Sequence, residues 1–137
     1  MNSGAIFSGH LDLFHNNGTT FSMVDQNLTM LPENIEKVAG TSKTYFNFLQ
    51  VSATLRGINL SENRITNLPK IVADFKELRI LNVERNQICH IDETWGRLLK
   101  QLTHLKISSN RITAIPTSFQ SLTFLRSLHK LLNFFKS

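Results

Sequence analysis

Leu78-Arg79-Ile80-Leu81-Asn82-Val83-Glu84-Arg85-Asn86 occurs three times in variant form along this 137-residue chain. Its centre alternates, so an extended backbone puts Ile80, Asn82 and Glu84 on one side and Leu81 and Val83 on the other. The upstream copy is Leu55-Arg56-Gly57-Ile58-Asn59-Leu60-Ser61-Glu62-Asn63, and the downstream copy is Leu102-Thr103-His104-Leu105-Lys106-Ile107-Ser108-Ser109-Asn110. The closing asparagines, Asn63, Asn86 and Asn110, recur at a nearly constant interval (86 − 63 = 23, then 110 − 86 = 24). Each copy continues with an apolar residue two places on (Ile65, Ile88, Ile112) and another three further (Leu68, Ile91, Ile115). Pro69 and Pro116 follow in two copies and Asp92 in the third.

A single strand of this length cannot bury its aliphatic side, but copies stacked edge to edge form a parallel sheet with one continuous apolar face. The chain must then return to the start of the next strand. Residues 70–77, 93–101 and 117–124 make that return, with Ile71/Phe75, Trp95/Leu98/Leu99 and Phe119/Leu122 spaced to anchor short helices. Each asparagine stands where the strand ends. Its amide can donate to and accept from the backbone of its own turn and of the neighbouring one. Asn63, Asn86 and Asn110 are therefore expected to form a structural ladder that sets the register of the stack.

The array is less regular at its ends. Phe21 to Pro32 fits the second half of a repeat, with Gln26 in the asparagine place. Before it, Ile6, Leu11, Phe14 and His15, ending at Asn16-Asn17-Gly18, suggest a short amphipathic helix that covers the first strand edge. The expected organisation is one domain, 1–137: a cap helix at 1–18, a degenerate repeat at 19–39, an insertion at 40–53, three regular repeats at 54–124, and a degenerate or truncated repeat at 125–137. The insertion is read as tolerated extra length, or as an artefact of how the coding sequence was assembled, in preference to a partner-binding flap. With no clear closing cap, Leu131, Leu132, Phe134 and Phe135 are expected to be exposed or to drive self-association.

The L-x-x-L-x-L-x-x-N block, at this period, resembles the leucine-rich repeat family. The resemblance implies an α/β solenoid with a parallel sheet on its concave side and short helices or turns on its convex side. It also implies a protein-interaction surface on the concave face. The residues that would carry it are Asn59, Ser61, Glu62, Ile80, Asn82, Glu84, Arg85, His104, Lys106 and Ser108, which offer hydrogen bonds and charge of both signs. The corresponding function is a non-catalytic interaction module or signalling adaptor, with an unidentified protein as partner.

Composition narrows the remaining classes. Cys89 is the single cysteine, so the chain has no internal disulfide and no multi-cysteine zinc site. No H-E-x-x-H, G-x-S-x-G, G-x-x-x-x-G-K-[ST] or G-x-G-x-x-G occurs, and Cys89-His90 lacks the geometry of an activated thiolate; no catalysis, cofactor or metal is expected. No basic start with a long apolar run marks an export signal, and Asn2 stands where N-myristoylation requires glycine, so the expected compartment is the cytosol without membrane anchoring. Charge supplies a rival reading: 8 basic and 10 acidic residues precede or include Glu93, and 7 basic and no acidic residues follow it. That basic end would favour an anionic membrane or nucleic acid. Yet no two Lys/Arg are adjacent, which points to a solvated surface rather than a site for either. A shortened, non-functional variant of a longer chain is the other alternative.

Overall fold

The computed structural model describes residues 14–15, 19–29, 54–68 and 70–129. Six short strands form one sheet in chain order: β1 (Phe14–His15), β2 (Thr20–Ser22), β3 (Gly57–Asn59), β4 (Ile80–Asn82), β5 (His104–Lys106) and β6 (Ser127–His129). From β2 to β6 the pairing is parallel, and the register follows the repeat: Phe21 pairs Ile58, Ile58 pairs Leu81, Leu81 pairs Leu105, and Leu105 pairs Leu128. Direct pairing of β2 with β3 shows that the stack is continuous despite the long stretch of chain between Ser22 and Gly57.

At Phe14–His15 the expected cap helix is corrected. These two residues are extended and pair antiparallel with Phe21 and Thr20. A hairpin partner supplies hydrogen bonds to the first parallel strand, which a helix laid over its edge would not. The rest of the expected cap, the 40–53 insertion and the apolar residues beyond His129 lie outside the described residues.

The core lies between the sheet and the returning segments. Leu55, Leu60, Ile65, Phe75, Leu78, Leu81, Val83, Leu99, Leu102, Leu105, Ile107 and Ile112 are fully buried. The returns are a 3-10 segment at Lys70–Asp74, helix α1 at Thr94–Leu98 and a second 3-10 segment at Thr117–Ser121. Five residues per return make about one turn, too few to be stable alone, so burial of Phe75, Trp95 and Phe119 holds them. Leu98 is a correction to the expected anchors: it is 40% exposed, whereas Leu99 is fully buried, because one turn offers the core only one side. Asp92, in the place that proline takes in the other copies, starts α1 differently. Its Oδ1 accepts from the Thr94 N–H at 2.7 Å and from the Thr94 hydroxyl at 2.7 Å.

Gly96 marks where two returns meet. It is buried, and its carbonyl accepts from the Ser121 hydroxyl at 2.6 Å and from Lys100 Nζ at 3.1 Å. A methyl group there would overlap the Ser118 carbonyl carbon and oxygen, which are backbone and have little room to yield. Gly96→Ala is therefore expected to destabilise the fold by about 1–3 kcal/mol, despite its better helix propensity. A chemical-denaturation midpoint at or above the parent value would refute this contact.

Candidate interaction face

Side chains alternate across each strand, so one face of the sheet is sealed in the core and the other is open. Register gathers the open positions into columns. Thr20, Gly57, Ile80, His104 and Ser127 form one; Ser22, Asn59, Asn82 and Lys106 form the next. Thr20, Asn59, Asn82, His104 and Lys106 are half-buried. Ile80 is 45% exposed, an aliphatic residue in the middle of an otherwise polar surface. Beside it Gly57, which has no side chain, is buried under the Thr20 side chain, whose atoms would lie 3.3–3.4 Å from a Cβ at that position.

Several of these groups are tied to one another. Asn59 Oδ1 accepts from the Ser61 N–H at 3.1 Å and from its hydroxyl at 2.8 Å. Asn82 Oδ1 accepts from the Glu84 N–H at 3.0 Å, and the Ser108 hydroxyl donates to Glu84 Oε1. His104 Nδ1 lies 2.9 Å from Thr103 Oγ1. Such bonds hold the side chains in place before any partner arrives, which lowers the entropy lost on binding. Ser61 departs from the expected open face: it is buried, folded against Asn59 at the end of its strand.

Glu62, Arg85 and Ser109 take left-handed backbone angles, with φ of 60°, 55° and 56°. Each directly precedes a ladder asparagine, and this reversal turns the chain inward so that the next side chain enters the core. Asn63 Nδ2 donates to the carbonyls of Met23 (2.7 Å), Leu60 (3.0 Å) and Ser61 (3.2 Å), while its Oδ1 accepts from Gln26 N (2.9 Å) and Leu28 N (3.0 Å). Asn86 repeats this with the carbonyls of Leu60 (2.9 Å), Val83 (3.0 Å) and Glu84 (3.2 Å) and the N–H of Ile65 (3.0 Å). Asn110 does so with Val83 (2.9 Å), Ile107 (3.0 Å), Ser108 (3.3 Å) and the N–H of Ile88 (3.0 Å). Gln26, in the corresponding place of the first copy, is exposed, and among the described residues its side-chain amide donates only to the Val24 carbonyl, at 3.1 Å.

Cys89 and His90 are both exposed, and no group of three His, Cys, Asp or Glu side chains among the described residues is arranged to hold a metal. Basic residues after Glu93 are dispersed: Arg97 and Lys100 belong to the α1 return, Lys106 to β5, Arg111 to the turn beyond it, and Arg126 to the approach to β6. One grouping was not among the expected site residues. Arg56, Arg79 and Arg126 each follow the first leucine of a copy, and the stack brings them to the same rim of the sheet. The repeated Leu-Arg pair was the signal for it.

Residues 76–129 match the family model described as Leucine rich repeat. The chain is 30% identical over 132 residues to the volume-regulated anion channel subunit LRRC8D of Rattus norvegicus, which covers 88% of this chain and 14% of that protein. Thus the chain spans about one seventh of this relative's length. Among solved structures, a Leptospira interrogans LRR protein superposes with a TM-score of 0.66 at 23% identity, covering 85% of this chain and 32% of the other. The BIR2 ectodomain from Arabidopsis thaliana gives 0.65 at 22%, covering 85% and 56%. At these identities the structural likenesses establish the fold. No helix among the described residues is long and apolar enough to cross a membrane.

Proposed function

We propose that this chain, whose repeats and fold are those of leucine-rich repeat proteins, is a non-catalytic interaction module that receives a protein partner on the concave face of its sheet. The leucine-rich repeat fold is generally a protein–protein interaction module and typically non-catalytic, and its open sheet face is an extended recognition surface. One observation carries the reading for this chain: Ile80 stands 45% exposed on the open face, among hydrogen-bonded polar groups. An aliphatic anchor surrounded by positioned polar side chains is the arrangement found at the centre of protein interfaces. Asn59, Asn82, Glu84, His104, Lys106 and Ser108 supply the polar contacts, with Glu62 and Arg85 at the far rim.

An adaptor role in cytosolic signalling is the setting we propose for it. The segments Asn27-Leu28-Thr29-Met30-Leu31-Pro32 and Ala53-Thr54-Leu55-Arg56 onward resemble leucine-rich repeat-containing protein 57, an intracellular member. One domain over 1–137, with the 40–53 segment as an insertion, is the organisation we propose. The test is affinity capture from cytosolic extract with the full chain immobilised. Proteins retained by the parent should be lost with Ile80→Asp and with Lys106→Glu, but kept with Arg97→Glu on the opposite side. Retention of the same proteins by all four would place recognition elsewhere.

A further inference from the structure

Each strand of the stack is approached through one residue whose carbonyl is clamped by the next turn. Arg56 O accepts from Arg79 N (2.8 Å) and Ile80 N (3.1 Å). Arg79 O accepts from Thr103 N (2.8 Å) and His104 N (3.0 Å), and Thr103 O from Arg126 N (2.8 Å) and Ser127 N (3.1 Å). This backbone ladder lines up Arg56, Arg79, Thr103 and Arg126 along the rim where the strands begin. All three arginines are exposed. Their guanidiniums have no hydrogen-bond or ion-pair partner among the described residues, and Glu77, two residues before Arg79, is not engaged with them. Thr103 fills the one gap in the column, its hydroxyl occupied with the Arg79 carbonyl at 3.0 Å.

We infer that this arginine column is a second binding surface, distinct from the concave face, for an extended acidic peptide laid across the strand starts. Neighbouring strands lie about 4.8 Å apart, so Arg56 and Arg79 are about 5 Å apart at the backbone and Arg126 is about 10 Å further on. An extended peptide presents the side chains of i, i+2 and i+4 over about 13–14 Å on one side, close to the roughly 15 Å of the column. Arginine side chains take up the remainder and meet carboxylates in bidentate pairs. Two other anionic partners fit less well. Single-stranded nucleic acid needs successive aromatic platforms between its basic contacts, and Phe124 is the one exposed aromatic among the described residues. A membrane surface rewards a broad plane of like charge, whereas the aligned arginines form a single line along one rim.

The probe is a fluorescent peptide of alternating Glu and Ser, titrated with the full chain at about 50 mM salt, where surface charges are weakly screened. The parent should bind, and Arg56→Gln, Arg79→Gln and Arg126→Gln should each weaken binding by roughly two- to fivefold, as exposed ion pairs do. The triple variant should lose about tenfold or more, since Arg126 lies far enough from the other two for its loss to add, while Lys106→Gln on the concave face leaves affinity within about twofold. Circular-dichroism melts of the single variants should match the parent, since the ladder uses backbone atoms. No measurable binding, or equal affinity in the triple variant, overturns the proposal. So does tighter arginine-dependent binding of an oligodeoxythymidine or of phosphatidylserine vesicles. Because Ile80→Asp and Lys106→Glu test the concave face separately, failure of either surface leaves the other standing.

Discussion

The Asn86→Ala chain is expected to melt about 10 °C below its parent. Asn86 is 7% exposed and makes four backbone hydrogen bonds that tie two successive turns together. The carbonyls lose least, because Leu60 O also accepts from Asn63 and Val83 O also accepts from Asn110. Ile65 N–H has no such second partner within the ladder, and it is enclosed with a fully buried side chain. An unpaired buried donor costs about 1–3 kcal/mol. The vacated amide volume and three weakened carbonyls bring the expected loss to about 3 kcal/mol, which for a domain of this size is about 3–4 °C per kcal/mol. Lys106→Ala, on the open face, should stay within about 0.5 kcal/mol of the parent. Equal shifts for the two variants would mean that the ladder does not hold the stack.

A second comparison uses adjacent residues of one strand. Leu81 is fully buried in the central strand, with Ile58 and Leu105 as its register neighbours, whereas Ile80 is 45% exposed. Leu81→Ala should cost about 2–5 kcal/mol, the range for removing a buried leucine and leaving a cavity. Ile80→Ala should cost under about 1 kcal/mol, because much of its side chain already meets water. The effect of Leu81 should also reach beyond its own turn. In a stacked array each repeat is stabilised only by its neighbours, so a weakened central copy separates the copies on either side. A broadened denaturant transition, with a lower slope, would report that separation. Equal costs at Ile80 and Leu81 would show that the strand faces had been reversed.

Much of this architecture was legible before any coordinates. Strand register from Phe21 to Leu128, burial of Leu60, Val83 and Ile107, and the inward asparagines follow from a periodic pattern whose physical demands are local. Alternation selects a side, and an amide at the strand end has backbone within reach. Where the copies degrade, so does legibility. Phe14–His15 has helical spacing within its own segment, but the unpaired edge of β2 offered hydrogen bonds that a helix would leave unmade. Leu98 fits a helical spacing as well as Leu99 does, yet a five-residue turn presents one side to the core. Ser61 sits at an open-face position by count, and its hydroxyl instead turns to Asn59 as the strand ends.

By itself, the sequence determined that the chain stacks, which residues face inward, and at what interval, because those properties depend on a composition that repeats from Asn63 to Asn86 to Asn110. Tertiary structure decided which outward residues become neighbours and what they are free to do. Arg56, Arg79 and Arg126 belong to three different copies; the repeated Leu-Arg pair marks their shared place in the repeat but not whether a carboxylate lies beside them. Stacking brings them onto one rim without a carboxylate paired to any of them among the described residues, and it sets Ile80 beside Gly57, which has no side chain to cover it. Proximity across strands and the absence of a competing partner are properties of the assembled turns, since each depends on what the other repeats place alongside.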